Sequence, residues 1–482
     1  MTATSKTKTV RTRIAPSPTG LAHVATGYIA LFNYAFAHQH GGQFIIRIED
    51  TDRARFVEGA EQVIYDSLKW LGIPHAEGVD IGGPYAPYKQ SERLDIYKKY
   101  AEELIKKGHA YYCFCTSAEL ETMRNAQQKA GKLPMYDGRC KQLDPKVAQE
   151  RAQKEKHVIR LHMPDEGKTE WEDLIRGHIE FENALVDDQV LIKSDGFPTY
   201  HLAVVVDDYL MKITHVMRGE EWISSTPKHI ALYTMFGWEI PQFAHMPLLR
   251  NPDHSKLSKR KNDVSLISYM KKGYLPEALV NFLCLLGWSH PEHEEVFDLQ
   301  NFLKHYAIDR MQKTAPVFDF NKLNWMNGLY IREKLSAAEL KKRLEPFLPS
   351  DFPKKKFDTI LPLIRDRLVL LADVESLTDF FYRDIVVDKK ALQFKKADDA
   401  LIAQQLLSSI EALKKTDWTL QSIEAVLRSL QEKNDWNKGQ YFMLLRIVVT
   451  GKTATPPLFE TIEVLGKEKT FQRLEKARSL FA

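Results

Sequence analysis

Between Val10 and Gly108 the apolar positions switch repeatedly between a period of two and a period near 3.6. Phe44, Ile46 and Ile48 fall on one face and Arg47 and Glu49 on the other, which predicts a strand from Phe44 to Glu49. A helical run starts at His23 and ends near Phe36-Ala37. The pairs Ile96/Tyr97, Tyr100/Ala101 and Leu104/Ile105 predict a helix from Arg93 to Lys107 with Gly108 as its C-cap. From Tyr111 to about Tyr200 this alternation gives way to a polar stretch with a Lys/Gln/Glu-rich helix pair and short β-like runs. It resumes at Leu202 to Asp208, a continuous apolar run that predicts a parallel strand buried on both faces. Ile213 to Arg218 predicts a second strand, and Thr226-Pro227 opens a helix through Phe236. Beyond residue 260 the periodicity is helical. Pro276 to Leu286 is followed by Gly287, Ser336 and Glu339 form a capping box, and no strand-like run exceeds Asp384 to Val387. The pattern predicts a doubly wound α/β domain in two halves, 1–110 and 201–250, split by an α+β insertion at 111–200. A connecting segment, 251–330, and an all-helical region, 331–482, follow.

Length and composition narrow this picture. A chain of 482 residues is too long for a single core. The longest apolar run, Ala278 to Trp288, contains Asn281 and is far short of the roughly 20 residues that span a bilayer. Met1 to Val10 has no apolar core of a secretory signal. Four cysteines make no disulfide framework and read as cytoplasmic thiols. Net charge is +4, unevenly placed: residues 331–482 hold 27 Lys/Arg against 22 Asp/Glu. That excess suits nucleic-acid contact, and equally a solvated helical surface.

The candidate chemistry begins at Ile14 to Gly20, an extended segment stiffened by Pro16 and Pro18. His23 then opens a helix whose free amides and dipole attract phosphate. More than two hundred residues on, Lys256-Leu257-Ser258-Lys259-Arg260 supplies a basic loop, and the two elements together read as a two-part ATP site. In open α/β sheets ligands bind at the carboxyl ends of strands. Polar clusters occupy three predicted ends, Glu49-Asp50, Asp207-Asp208 and Arg218 to Glu221, and Arg13 lies on the first strand. Such charges form either an internal salt-bridge network or the cradle of a ligand bearing an ammonium and carboxylates.

The segments RIAPSPTG, HVAT, IRIEDTDRAR, SDGFPTYHLA, VMRGEEW and KLSKRK follow one another over nearly the whole chain. In this order they resemble the bacterial-type glutamyl-tRNA synthetases of class I. The resemblance implies a Rossmann-like catalytic domain, an insertion that grips the tRNA acceptor end, and C-terminal helices that read the anticodon. It implies ATP-dependent ligation of L-glutamate to its tRNA through a glutamyl-adenylate, with Mg2+ helping to neutralise the phosphates. His23 and Thr26 would serve the phosphates, and Lys256, Ser258 and Lys259 would close over them. Arg13 and Arg218 would hold the side-chain carboxylate and Glu49 the α-ammonium, with Ser17 and Tyr200 completing the pocket. An arginine fork favours glutamate over glutamine, whose neutral amide it would leave poorly satisfied. Arg365 and Arg367, within Ile360 to Val374, are candidates for anticodon contact. A cytoplasmic monomer is expected.

Two departures stand out. Ala25 occupies the third signature position, where the family usually has glycine. Cys113, Cys115 and Cys140 resemble the zinc knuckle of some relatives, but Gln142 stands where a histidine ligand is expected, leaving an incomplete zinc site or a metal-free knuckle. Among rivals, the truncated relative that glutamylates a modified nucleoside in tRNA lacks the helical tail. Glutaminyl-tRNA synthetases differ in the APSPTG and IEDTD segments and carry a β-barrel C-terminal half. A catalytically dead tRNA-binding homologue would have lost His23, Lys256 and Lys259, and a small-molecule nucleotidyltransferase needs neither insertion nor helical tail. Use of the glutamine tRNA stays open.

Overall fold

A computed structural model describes residues 8–257, 264–394 and 397–481. The chain forms two compact units, Met1–Tyr269 with Leu279–Asp319, and Met270–Ala278 with Phe320–Ala482. In the first unit β1 (Arg11–Ile14), α1 (Val24–Gln39) and β2 (Gln43–Ile46) form a β–α–β turn, β1 pairing parallel to β2 with Arg13 opposite Ile45. Then come α2 (Ala60–Trp70), α3 (Leu94–Lys106), β3 (Ala110–Cys113), α4 (Ser117–Lys129), α5 (Pro145–Ala152) and β4 (Val158–Leu161). Next are β5 (Lys168–Asp173), β6 (Gly177–Glu182), β7 (Val190–Ile192), α6 (Tyr200–Leu210), β8 (His215–Gly219), α7 (Thr226–Phe236) and β9 (Gln242–Met246). β8 and β9 run parallel in a sheet ordered β6-β5-β9-β8, and β3-β4-β7 is a separate antiparallel sheet. The Thr214 amide donates to the Arg11 carbonyl at 3.0 Å, setting β1 beside β8. The carboxyl ends of β1, β2 and β8 therefore open on one side.

Local sequence explains the elements. Thr116 and Glu119 close a reciprocal capping box on α4, and Asp144 with Pro145 starts α5. The predicted strand at Leu202 to Asp208 is instead part of α6. A run that is apolar on every side signals burial, and burial alone does not separate strand from helix. Leu202 to Val206 are at most 1% exposed, packed in a core shared with residues of α3, α7 and the β3-β4-β7 sheet. The strand predicted to Glu49 stops at Ile46, and both faces are buried, Arg47 included.

Among the described residues after Met246 there is no strand. The second unit is helical, its core formed where Asp399–Lys414 and Leu420–Lys433 pack on Lys438–Thr450, Leu458–Leu465 and Lys467–Arg478. Ser336 accepts from the Glu339 amide, as the capping pattern requires. Ile360 to Val374 is not one helix: Phe357–Arg365 ends before Asp366, and Asp373–Thr378 begins anew. The Asp373 carboxylate accepts from the Val369 and Leu370 amides at 3.2 and 2.8 Å, which favours the turn over continued helix. Arg473 is buried and donates to the carbonyls of Val449, Phe380 and Arg383. Arg473→Met strands these carbonyls, and an expected loss of about 2–4 kcal/mol is read as a lower denaturant midpoint. No helix of the described residues is long and apolar enough to cross a membrane.

Candidate active site

The open strand ends surround a cavity of about 630 Å³ lined by Arg13, Ser17, Thr26, Glu49, Tyr200 and Arg218, among others. The Pro16–Pro18 segment is clamped from the far side, since Glu49 and Val57 amides donate to the Pro16 and Pro18 carbonyls at 3.1 and 3.0 Å. The His23 ring caps α1, its Nδ1 accepting from the Ala25 amide at 3.0 Å. The helix start is also tied to the chain just beyond the basic segment. Val24 N–H donates to Val264 O at 2.7 Å and Leu266 N–H to Ala22 O at 2.9 Å, with a bridge between His23 and Ser265. Lys256 is exposed and bridges Arg250, its neighbour Leu257 donating to Leu249 O. His23 and Lys256 do not line the cavity. Ser258 and Lys259 lie outside the described residues.

The buried charges divide into a salt-bridge network and groups outside it. Arg13 donates Nε and Nη2 to the two oxygens of Asp208, both at 3.0 Å. Arg47 donates to Asp208 at 2.8 Å and lies 3.5 Å from Asp207, which also accepts from Arg93 at 2.7 Å and from the Tyr97 hydroxyl. Asp207 and Asp208, on α6 rather than at a strand end, thus anchor the arginines. Burial pushes the Asp208 carboxyl up, but Arg13 and Arg47 outweigh it and hold it below its ordinary value. Glu49 accepts from Arg47 and Gln90 only at 3.3 Å each. Burial outweighs those arginines and pushes its carboxyl up to about 7.

Arg218 differs from the other buried arginines. It is 5% exposed. Its Nε donates to His245 Nε2 at 3.1 Å, Nη1 to His229 Nδ1 at 3.1 Å and Tyr200 Oη at 3.2 Å, and Nη2 to Thr226 Oγ1 at 2.9 Å. All these partners are neutral or polar, and no carboxylate among the described residues pairs with it. A buried cation without a counterion is costly, so the arrangement favours an anionic ligand. Four of its five N–H bonds are occupied. One Nη2 hydrogen remains, on a residue that lines the cavity together with Tyr200. Arg13 likewise retains Nη1. Of the five N–H groups of Arg13, three are thus uncommitted among the described residues, two on Nη1 and one on Nη2, against one on Arg218.

Sequence reasoning missed the anchoring of these groups by Arg47, Arg93, Asp173, His229 and His245. It also missed Tyr136. The three thiols of Cys113, Cys115 and Cys140 lie within 4.8 Å of one another, with Tyr136 Oη 3.4 Å from Cys113 Sγ and 3.5 Å from Cys115 Sγ. The Arg160 guanidinium lies 4.1 Å over the Tyr136 ring. Burial pushes the Cys113 thiol up, but bonds from Tyr136 and Arg160 outweigh it and hold it below its ordinary value. The signal readable in the sequence is a tyrosine four residues before Cys140, an oxygen donor outside the Cys/His pattern of a zinc knuckle. Arg365 donates to the carbonyls of Arg332 and Leu335 at 2.8 and 2.6 Å, closing off the preceding helix, while Arg367 is exposed.

A parallel-stranded α/β unit with a helix N-terminus near an anion-seeking cavity, followed by a helical unit, is the arrangement that the resemblance to class I tRNA synthetases implies. The family profile "tRNA synthetases class I (E and Q), catalytic domain" matches residues 9–325, and the profile "Anticodon binding domain" matches residues 339–478. The chain belongs to this synthetase family. The glutamate–tRNA ligase of Thermus thermophilus is 49% identical over 474 residues, covering 97% of this chain and 99% of its own. That of Fusobacterium nucleatum is 46% identical over 495 residues, covering 97% of each. The crystal structure of a glutamate tRNA ligase from Elizabethkingia meningosepticum in complex with its amino acid has a TM-score of 0.85 at 33% identity, covering 98% of this chain and 100% of that one.

Proposed function

We propose that this chain activates L-glutamate with ATP and transfers it to tRNA, as a cytoplasmic monomer serving translation. One observation carries the reading: Arg218, buried on the cavity wall, has only uncharged partners among the described residues. The side-chain carboxylate of glutamate supplies the missing charge, taking the Arg218 Nη2 hydrogen, the Tyr200 hydroxyl and Arg13 Nη1. Glu49 receives the α-ammonium, and Ser17 completes the pocket. The α-carboxylate, already a competent nucleophile, then attacks the α-phosphorus of MgATP. Pyrophosphate leaves, and a ribose hydroxyl of the tRNA end displaces AMP from the resulting mixed anhydride. His23 and Thr26 at the start of α1, with Lys256, Ser258 and Lys259, meet the phosphates, so catalysis is positioning and charge stabilisation. Charging assays on purified glutamate and glutamine tRNAs test the assignment. Glutamate esterified to its tRNA is the expected product, and no glutamylation of either tRNA would refute the assignment.

The signature residue Ala25 is tolerated in this account, because its amide, not its side chain, meets the His23 cap. Ala25→Gly is expected to change the KM for ATP by less than about threefold, within the effect of an altered helix start. A many-fold gain in ATP affinity would show that the methyl group crowds the nucleotide.

Residues 1–110 and 201–250 form the catalytic domain of this reading, and 251–330 the stem-contacting connection. The insertion 111–200 holds the acceptor end, and 331–482 reads the anticodon, with Arg367 the better placed of the two arginines because Arg365 serves the backbone. Cys113, Cys115 and Cys140 with the Tyr136 oxygen form a donor set that fits zinc, the oxygen standing in for the histidine absent at Gln142. Zinc there is structural, ordering the insertion. Metal analysis of protein expressed with zinc is expected to give about one equivalent per chain, lost in Cys140→Ser. Zinc-free wild-type protein would mean a metal-free knuckle.

A further inference from the structure

Arg218 is held by an unusual set of partners, and each must sit in one protonation state. An arginine has only donors. His245 Nε2 and His229 Nδ1, both 3.1 Å from its nitrogens, must therefore present lone pairs. His245 Nδ1 lies 2.6 Å from Asp173 Oδ2, so its proton sits on Nδ1 and is donated to the carboxylate. The other oxygen of Asp173 accepts from the amides of Ile175, Arg176 and His245 at 3.0–3.1 Å, which fixes the carboxylate itself. On the other side, His229 Nε2 carries its ring proton and donates to His201 Nδ1 at 3.1 Å. Asp173 and His245 are both fully shielded, and His229 is 1% exposed. Burial, reinforced by the Arg218 charge, disfavours protonation: His229 is held well below the usual imidazole value and His201 down to about 3.

We propose that Asp173, His245 and His229 are positioning residues that aim the Arg218 guanidinium at the cavity while leaving its charge uncompensated. A carboxylate in direct contact with Arg218 would orient it equally well, but would cancel the charge the ligand needs. Asp173 acts one residue removed. It selects the His245 tautomer, and the neutral imidazole passes on orientation without a full negative charge. The inference rests on Arg218 being the reader of the glutamate side chain.

Asp173→Asn tests it. The new amide keeps an acceptor for the backbone N–H groups but presents its NH2 to His245 Nδ1, forcing the ring proton onto Nε2. Two donors then face each other, His245 Nε2–H and Arg218 Nε–H. The KM for glutamate is expected to rise about 10- to 100-fold, the range for a broken buried bond to a charged group. The kcat and the KM values for ATP and tRNA should move less than about threefold. His245→Gln places an amide oxygen near the former Nε2 and ends the dependence on Asp173. In the His245→Gln background, Asp173→Asn should therefore change the glutamate KM by less than about threefold. A merely structural Asp173 would give additive losses and raise all three KM values together. Thermal melting of each variant checks folding, and the double variant retains the test where the single one is unstable. An active wild type whose glutamate KM is unmoved by Asp173→Asn overturns the positioning role alone. A wild type inactive with glutamate overturns the parent reading, and the positioning role with it.

Discussion

Arg218→Met is expected to lower kcat/KM for glutamate by about a hundred- to ten-thousand-fold, with most of the loss in KM. The magnitude follows from the site's burial. Removing one partner of a buried, desolvated charge pair costs about 3–5 kcal/mol, because the remaining charge is stranded. Here the stranded charge is the substrate carboxylate, facing a wall where Arg13 has already given Nε and Nη2 to Asp208. Lysine is a poor substitute, since a single ammonium cannot reach His245, His229, Thr226 and the ligand together. Stability is expected to respond differently from activity. No described residue supplies Arg218 with a counterion, so its loss relieves a buried charge even as it strands two imidazole acceptors. The melting temperature of Arg218→Met should stay within about 4 °C of wild type, a shift of roughly 1 kcal/mol or less. Measuring steady-state kinetics and melting on the same preparation checks both halves. A large fall in melting temperature with an unchanged glutamate KM would make Arg218 a structural residue.

The second large effect is on pH. Burial, opposed by Arg47 and Arg13, raises the Glu49 carboxyl to about 7. An α-ammonium is bound by the carboxylate and not by the acid, so kcat/KM for glutamate should be full above that value. It should fall as pH drops through about 7, approaching tenfold per unit. The stability sign is opposite. A carboxyl whose folded value lies above its unfolded one contributes stability at low pH, and loses that contribution as pH rises through about 7. Glu49→Gln is uncharged throughout. It should flatten this limb of the profile and reduce kcat/KM at pH 8 by about a hundredfold or more, without lowering stability there. Persistence of the acid limb in Glu49→Gln would assign it to another group.

Much of this architecture is legible in the chain because periodicity and punctuation agree. Gly108 ends α3 in a left-handed conformation, Thr226-Pro227 starts α7, and Pro276 and Gly287 bound one helix. Pattern is ambiguous where two structures share it. The Leu202–Val206 run is apolar all round, and only its neighbours in space decide that it is helical. The polarity of Asp207 and Asp208 marks them as chemistry, but the apolar run before them reads as a strand, and the helix that carries them is not distinguishable from it by pattern. The Arg218 support was illegible for a different reason. Asp173, His229 and His245 sit on β5, α7 and β9, and nothing in their local sequence says that three elements converge on one guanidinium. Tyr136 was legible in principle, since its distance from Cys140 in sequence is short.

The central claim is that an uncompensated arginine charge selects a carboxylate side chain. The most direct measurement is ATP–pyrophosphate exchange with tRNA present, comparing glutamate with glutamine, which differ only by replacing that carboxylate with an amide. The account predicts exchange with glutamate at a kcat/KM at least about a thousandfold above glutamine, the discrimination a buried, unpaired charged group imposes. Comparable exchange with both amino acids, or none with glutamate, would contradict it.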